Sequence, residues 1–480
     1  MIDSSFGRVA VRGSGRLATV LVLVAGVGLG VVRLLAQPVF SGAEIFPPEE
    51  FAARRARVMD RIGDAVAILQ GTTERPGEQA FRQNNQFFYV TGVAEPRAIV
   101  AIDGRSKTAV LFLQPYDARR VERMFGPGLA PGPEAAAATG IDRVEPRSAF
   151  AALVQELARS GRTLYTPFRA EVLGEASSSD PAALWRANKA DPWDGRPSRE
   201  EAFVEKLKAA APGSAIRDLD PILDELRTIK SPREIGIIRE ATRITGEAIR
   251  RAMHDAHPGM REYELQAGAE FVFKNAGAYG PSYFALIATG RNTFYSHYHR
   301  NTATLADGDL VQFDYAPDYK YYQSDVTRVF PANGRFSPRQ RELYTIYLRL
   351  YQALMTSIRV HASPHDIVRD AVAKMDAVLA SYPFTDAAIK AAAGAFVERY
   401  RKSTPNSLGH AVGMEVHDVG RPGPTLEPGQ VFTIEPALQL PDEHIGVRLE
   451  DMILMTPDGY ENLSADVPIE IDAIEREMRR

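Results

Sequence analysis

The sequence contains no cysteine among its 480 residues. Disulfide bonds, thiolate zinc sites, iron–sulfur clusters, a cysteine nucleophile and a lipoprotein anchor are therefore excluded. An excess of basic charge is also lacking, since 57 Lys and Arg face 61 Asp and Glu for a net charge of −4. A nucleic-acid partner, which needs a strongly basic surface, is therefore not expected. What the chain does have is a globular composition, with 45% hydrophobic and 25% charged residues, and enough length for two domains.

Residues 1–36 have the composition of an export signal. Three arginines precede an uncharged apolar run over residues 17–32, and the small residue Ala36 follows. A basic region, an apolar region and a small residue make up a secretory signal peptide. Leu34 stands where a second small residue is usual, so an uncleaved N-terminal membrane anchor through residues 17–32 is the alternative. In both cases we expect the rest of the chain to be exported, either periplasmic or secreted, or anchored facing outside the cytoplasm.

Residues 47–220 alternate between helical and strand-like patterns, which predicts an α/β N-terminal domain. Apolar stretches at residues 65–69, 98–102 and 108–113 are typical of buried strands. Residues 174–200 are polar and proline-rich and hold both tryptophans. We interpret them as an exposed excursion that serves as a lid or a partner surface.

A second domain of the α+β class is predicted over residues 228–470. Ser231, Pro232 and Glu234 form a capping-box pattern at the start of a helix that should end before Pro258. Short strands follow, mainly in antiparallel hairpins, at residues 285–288, 310–316, 321–330, 430–435 and 446–455.

Acidic residues interrupt these apolar strands. They are Asp314, Asp325, Glu435 and Glu450, and His410 lies in a glycine-containing stretch between them in the sequence. Burying a carboxylate among apolar side chains is costly without a partner. Four carboxylates and one imidazole suit two divalent cations, and oxygen-rich ligation favours manganese, cobalt or iron over a structural zinc. The alternative for each acid taken singly is a solvated position on an exposed strand face.

These residues resemble the pita-bread metallopeptidases, and within them the Xaa-Pro aminopeptidases (aminopeptidase P), over nearly all of residues 48–470. Each motif is short, but together and in this order they are specific. The motifs are Phe81-Arg-Gln-Asn-Asn-Gln-Phe-Phe-Tyr89, Ser296-His297-Tyr298, the eleven-residue step from Asp314 to Asp325, Val416-His417-Asp418, Thr433-Ile-Glu435-Pro436 and Arg448-Leu-Glu450-Asp451.

The resemblance implies a pita-bread catalytic domain with two divalent metal ions per chain, for which Mn²⁺ is expected. The implied ligands are Asp314, Asp325, His410, Glu435 and Glu450. Glu435 is also expected to take the proton of a bridging water as its hydroxide attacks the scissile carbonyl. His297 and His417 are expected to contact the substrate and stabilise the oxyanion.

The resemblance further implies that Arg448 neutralises the crowded acids or binds substrate, and that Asn406 and Gln439 lie in the substrate pocket and bind substrate. The family usually has a histidine where Asn406 stands and a tyrosine where Gln439 stands, so we expect a looser preference for proline. Phe88 replaces a tryptophan that often reaches the active site in the family, which is a milder change.

The activity implied is release of an N-terminal residue linked to proline. An Xaa-Pro dipeptidase (prolidase) shares the ligands and is the nearest alternative, although the N-terminal motif favours the aminopeptidase. A non-catalytic pita-bread scaffold that binds peptides is the alternative from another class, and such proteins lose metal ligands. The expected partners are peptides with proline second, and the resemblance implies a homo-oligomer.

Overall fold

The computed structural model describes residues 41–74, 80–115, 119, 123, 128–177, 179–420 and 423–479. The segment interpreted as an export signal, residues 1–36, lies outside these ranges. Within them, no helix combines the length and apolar character that a membrane span requires.

The N-terminal domain is built on one mixed sheet. Its strands are β1 (Val66–Gln70), β2 (Ile99–Asp103), β3 (Thr108–Leu113), β4 (Arg143–Pro146), β5 (Leu164–Thr166) and β6 (Ile216–Asp218). They lie side by side in the order β4-β3-β2-β1-β5-β6. The pairs β1–β2 and β2–β3 are antiparallel, and the other neighbouring pairs are parallel.

Helices pack on both faces of this sheet, which confirms the α/β class, and one further helix without buried residues lies on the surface. They are α1 (Pro48–Ile62), α2 (Asn85–Thr91), α3 (Pro133–Thr139), α4 (Phe150–Ser160), α5 (Ser179–Ala190), α6 (Arg199–Ala210) and α7 (Asp220–Thr228). Side chains alternate across β1, because successive strand residues point to opposite faces. Val66 and Ile68 pack in a cluster with α4 and α6, whereas Ala67 and Leu69 join the larger core with α1 and α2. That larger core continues into the second domain, so the two domains share one buried interior.

The second domain has the expected α+β composition. Its helices are α8 (Pro232–Asp255), α9 (Glu262–Asn275), α10 (Pro338–Met355), α11 (Pro364–Ser381), α12 (Ala387–Lys402) and α13 (Ile471–Glu477). Its strands are β7 (Gly280–Pro281), β8 (Leu286–Thr289), β9 (Leu310–Asp314), β10 (Pro317–Asp318), β11 (Thr327–Pro331), β12 (Val431–Ile434), β13 (Ala437–Leu440), β14 (Ile445–Arg448), β15 (Asp451–Thr456) and β16 (Gly459–Asn462). They pair antiparallel as β11-β9-β8, β12-β15-β16, β13-β14 and β10-β7.

The helix that opens this domain begins where the capping box predicts. The Glu234 N–H donates to the Ser231 hydroxyl at 3.3 Å, and the Ser231 N–H donates to the Glu234 carboxylate at 2.8 Å. This reciprocal pair satisfies two backbone donors that the first helical turn leaves free. The helix ends at Asp255, before Pro258, as expected.

Most predicted strands differ from the structure by one or two residues at their ends, and two depart further. The strand expected over residues 321–330 begins only at Thr327, and its expected first residue, Tyr321, has a left-handed φ of 69° that a strand does not allow. The strand expected over residues 446–455 is split between β14 and β15, which belong to different sheets. Glu450 lies in the gap between them, where the chain passes from one sheet to the other.

Candidate metal centre

Irregular backbone at strand ends places the acidic side chains. Asp314 is the last residue of β9, and Asp325 comes two residues before β11. Glu435 directly follows β12, and Glu450 lies between β14 and β15. The Glu450 N–H donates to the carbonyl of Thr327 at 3.1 Å, which ties this joint to the β9–β11 sheet. Carboxylates from separate sheets therefore meet at one point.

His410 reaches the same point from the segment that precedes β12. The Thr433 N–H donates to the His410 carbonyl at 2.9 Å, so this segment lies directly on β12. A Cβ at position 409 would lie 1.9 Å from the carbonyl oxygen of Thr433, and only glycine permits this close approach. The glycine beside His410 therefore fixes how near the imidazole comes to the carboxylates.

The five residues predicted as metal ligands converge in the structure. His410 Nε2 lies 3.2 Å from Glu435 Oε1, 3.5 Å from Asp325 Oδ2 and 3.7 Å from Glu450 Oε1. Potential ligand atoms of Asp325, His410 and Glu450 all lie within 4.8 Å of one another. Asp314 joins them through a shared hydroxyl, that of Tyr283.

Tyr283 is a member of the site that the sequence did not reveal. Its hydroxyl lies 2.6 Å from Asp314 Oδ1 and 2.7 Å from Asp325 Oδ1. One hydroxyl hydrogen can be donated to only one of these oxygens at a time. The signal that could have located Tyr283 is its place three residues ahead of β8, since Leu286 of that strand pairs with Asp314.

Arg448 is engaged with the acids. One of its terminal nitrogens pairs with Asp314, and the other lies 4.0 Å from Glu435. The latter also donates to the carbonyl of Ser296 at 3.3 Å, in the loop that carries His297. The guanidinium therefore offsets negative charge and holds that loop against the site.

Crowding of negative charge shapes the pKa values here. Burial, followed by the charges of Glu450 and Asp314, raises the pKa of Asp325 well above its ordinary value. Burial and then the charge of Glu435 likewise raise the pKa of Glu450. Burial alone would lower the pKa of His410, but the carboxylates of Glu435 and Glu450, 3.2 Å and 3.7 Å from its Nε2, raise it well above its ordinary value. Such groups need added positive charge in order to be ionised together.

The donor set fits divalent cations. Glu450 Oε1 is buried and has no hydrogen-bond partner among the described residues, although its other oxygen accepts from Thr327 at 2.7 Å. A buried acceptor without a partner is costly, and a cation would satisfy it. Four carboxylates and one imidazole are oxygen-rich ligands of the kind that manganese and similar ions take.

Of the two histidines expected to contact substrate, His417 borders this cluster and His297 lies on a neighbouring loop. The His417 ring lies 4.1 Å from that of His410, centroid to centroid. Partial burial, followed by the charge of His410, lowers the pKa of His417 to about 4. His297 is exposed on the loop after the short 3₁₀ helix Gly290–Phe294, and its ring lies 6.5 Å from that of Phe284. The structure thus places an unprotonated imidazole beside the acids and a second imidazole at the surface.

Asn406 and Gln439, the two departures from the family pattern, differ in their surroundings. Asn406 is exposed and lines a cavity of about 250 Å³ that His410 also lines. The Gln439 amide instead donates to the carbonyl of Phe294 at 3.0 Å. Gln439 therefore holds the start of the loop that carries His297.

Comparison with known proteins agrees with this arrangement. The model of metallopeptidase family M24 matches residues 236–457, and that of the aminopeptidase P N-terminal domain matches residues 51–165. The Xaa-Pro aminopeptidase of Escherichia coli is 33% identical over 455 residues, which are 89% of this chain and 97% of that protein. That of Haemophilus influenzae is 30% identical and covers 90% of this chain and 97% of its own length.

A solved structure gives the same result for the fold. Aminopeptidase P from E. coli with the inhibitor Pro-Leu superposes with a TM-score of 0.71 at 31% sequence identity. The match covers 90% of this chain and 98% of that one. The likeness extends through both domains, which confirms the expected pairing of an α/β N-terminal domain with a pita-bread domain.

Proposed function

This chain belongs to metallopeptidase family M24, and on that premise we propose that it is a metal-dependent Xaa-Pro aminopeptidase. It releases the N-terminal residue of peptides in which proline is second. The observation that carries the proposal is the convergence of Asp325, His410 and Glu450 within 4.8 Å in a chain with an aminopeptidase P N-terminal domain. The dipeptidase alternative is not favoured, since the bacterial relatives described above are aminopeptidases. A silent scaffold is not favoured either, because every ligand position holds a carboxylate or an imidazole.

Two divalent cations per chain are part of this proposal, with manganese the preferred metal. The residues that hold them are Asp314, Asp325, His410, Glu435 and Glu450. When bound, such ions polarise the scissile carbonyl and lower the pKa of the attacking water. The buried, unpartnered oxygen of Glu450 and the raised pKa values of Asp325 and Glu450 support this occupancy.

The protein side chains supply the remaining chemistry. Glu435 has the most exposed carboxylate among the four acids, with 32% of its side chain accessible. Burial would raise its pKa, but the hydrogen bond to His410 lowers it, so Glu435 is ionised and able to accept the proton of the attacking water. His417 is neutral above about pH 4, and its ring N–H can donate to the oxyanion that develops on the carbonyl.

Proline sets a particular demand on the site. The scissile amide has no N–H, and the proline ring fixes the backbone. The site must therefore recognise the substrate through its scissile carbonyl, its N-terminal amine and the proline ring. We assign contacts with the substrate to His297, Arg448, Asn406 and Gln439. Support comes from His297 on the exposed loop, Arg448 beside the acids and Asn406 at the neighbouring cavity. Gln439 supports it through its bond to Phe294 at the start of that loop.

The test is hydrolysis of an Xaa-Pro-Xaa peptide by the purified protein with Mn²⁺ and then with a chelator. An Xaa-Pro dipeptide and an Xaa-Ala-Xaa peptide are assayed in parallel. We expect cleavage of the first peptide that is lost on chelation and restored by Mn²⁺. Cleavage restricted to the dipeptide would favour the prolidase, and no cleavage of any peptide would overturn the proposal.

Glu435→Gln tests the assigned base. Turnover should fall by roughly 10²-fold or more, because the amide cannot take the proton. Glu427→Gln is the matched control, since Glu427 lies on the loop just before β12 and pairs with His361 outside the site. Near-normal turnover of Glu435→Gln would show that another group activates the water.

Export and self-association complete the proposal. The basic flank and apolar run within residues 1–36 support a location outside the cytoplasm, either periplasmic, secreted or membrane-anchored. Fractionation should find the enzyme there, and soluble full-length protein in the cytosol would contradict it. We also propose a homo-oligomer, which light scattering on the purified protein will test.

A further inference from the structure

The excursion over residues 174–200 carries a surface helix between two buried ends. Helix α5 has no buried residue, and Trp193 beyond it is 95% exposed. By contrast Ser177, just before the helix, is only 2% exposed. The end at Ser177 is therefore one of the two points that fix the excursion, the other being the buried Ser198.

Ser177 is hydrogen-bonded to His417, a residue of the candidate active site. The backbone N–H of His417 donates to the Ser177 hydroxyl oxygen at 3.0 Å, across 240 residues of sequence. A local turn holds the serine in place. The Ser177 N–H donates to the Asp180 carboxylate at 2.9 Å, and the Asp180 N–H donates to the Ser177 carbonyl at 2.9 Å.

The path to this contact is tightly constrained. Gly174 and Glu175 have left-handed φ values of 87° and 46°, which reverse the chain toward the second domain. A Cβ at position 174 would lie 2.9 Å from Cδ of Arg82. Arg82 in turn pairs with Asp318 of the second domain at 2.7 Å. The excursion is therefore held on the domain interface immediately before it reaches His417.

Backbone position matters unusually for His417. The residue is exposed, and its ring lies against that of His410 at 4.1 Å between centroids. The hydrogen bond of its main chain to Ser177 therefore helps to set where the ring lies. A misplacement of 1 Å in a positioned group can cost up to about 10²-fold in rate.

We propose that Ser177 is a positioning residue for His417, supplied to the catalytic domain by the N-terminal domain. The inference rests on the proposed function, because it concerns the placement of the histidine that stabilises the oxyanion. Without the hydroxyl, the His417 N–H loses its acceptor and the segment moves to find another.

The first test compares Ser177→Ala with Ser177→Thr and with Ser198→Ala. Ser198 is an equally buried serine of the same domain, 3% exposed, and its hydroxyl caps α6 by accepting from Glu201 at 3.1 Å. Ser177→Ala should lower kcat about 10-fold or more with KM changed less than about 3-fold, since a displaced oxyanion donor acts in the transition state. Ser177→Thr should recover most of kcat, and Ser198→Ala should keep it.

The second test asks whether the effect passes through His417. In a His417→Ala background, Ser177→Ala should cost no further factor in kcat, because the group that it positions is already gone. Hydrogen exchange at the His417 amide provides a readout that needs neither metal nor substrate. Exchange should be at least about 10-fold faster in Ser177→Ala than in Ser198→Ala, because a hydrogen-bonded amide is protected.

The outcomes separate this inference from the proposed function. If wild type cleaves no Xaa-Pro peptide, the proposed function fails whatever Ser177 does. If wild type is active and Ser177→Ala has the same kcat, the positioning role is overturned. It is also overturned if Ser177→Ala lowers kcat by the same factor in the His417→Ala background as in wild type. Unchanged exchange at the His417 amide would overturn the contact itself.

Discussion

Phe88 of the N-terminal domain stacks face to face on Tyr321 of the catalytic domain, with ring centroids 3.6 Å apart and planes inclined by 6°. Both residues are buried, at 1% and 3% exposure. The neighbouring Gln83 N–H donates to the Tyr321 hydroxyl at 3.0 Å, and the Arg82 side chain lies over the same ring. The motif Phe81–Tyr89, which resembles a family signature in the sequence, therefore contains residues that join the two domains.

Phe88→Ala should lower the free energy of unfolding by about 3–5 kcal/mol, because it removes a buried ring and leaves a cavity. Thermal unfolding of the purified protein measures this as a lower Tm. Phe168→Ala is the control, since that ring is 38% exposed in the same domain and its loss should change Tm little. Equal Tm values for the two variants would mean that the stack does not join the domains.

Tyr283→Phe should weaken metal binding by about 10- to 100-fold, the usual effect of losing a group that orients metal ligands. The phenol hydroxyl links Asp314 and Asp325, whereas the ring packs edge-on against Tyr315 and is kept in the variant. Calorimetric titration of metal-free protein with Mn²⁺ measures the affinity. Tyr263→Phe, an exposed position on α9, should bind as wild type does.

The sequence predicted what local chemistry determines. Ser231 and Glu234 located the start of α8, because a capping box needs only residues three apart. Asp314 and His410 were identified by their motifs, and they do converge. Tyr283 was missed because its contact arises from the β8–β9 register, and Ser177 because the contact spans two domains. Such pairings depend on the tertiary path of the chain, which no local pattern contains.

The break at Glu450 illustrates a second kind of miss. Residues 446–455 have the apolar character of one continuous strand, and β propensity alone cannot show where such a run changes sheets. The structure divides the run at Glu450, whose N–H bonds to Thr327 of a third sheet. Glu450, which interrupts the strand, is also one of the five residues expected to hold metal.

Glu200→Gln should make the protein more stable at high pH. Burial, followed by the charge of Glu171, raises the pKa of Glu200 to about 7 from an ordinary value near 4.5. Stability from its protonated form is complete below about pH 4.5 and is lost as pH rises from there through about 7, because over that range the unfolded chain releases this proton while the folded protein still holds it. The variant should match wild type at pH 4 and exceed it at pH 8 by up to about 3 kcal/mol.

Urea unfolding at the two pH values measures this difference. Glu201→Gln is the control, since that neighbouring carboxylate is partly exposed and pairs with Lys189. A parallel rise in Glu201→Gln would assign the effect to overall charge. Equal stability of wild type and Glu200→Gln at pH 8 would contradict the raised pKa.

Preference for proline should tighten in Asn406→His. An imidazole offers a flat face to a pyrrolidine ring, and such a contact is worth roughly 0.5–1.5 kcal/mol beyond its area. Since ~1.4 kcal/mol is a factor of ten, the ratio of kcat/KM on matched Xaa-Pro and Xaa-Ala peptides should rise up to about tenfold. Ser407→His is the control, because it adds the same ring at the adjacent exposed position lining the same cavity.

Adding Gln439→Tyr should raise the ratio further, by one or two factors of ten in total, for the same reason. The structure adds a condition, because Gln439 donates to the carbonyl of Phe294 and tyrosine gives up that bond. Loss of the bond should lower kcat on both peptides equally, because it acts through the loop that carries His297. The ratio of kcat/KM values then reports the ring contact alone. A ratio unchanged in the double variant would show that neither position contacts the proline ring, and that the ring binds elsewhere around the metal centre.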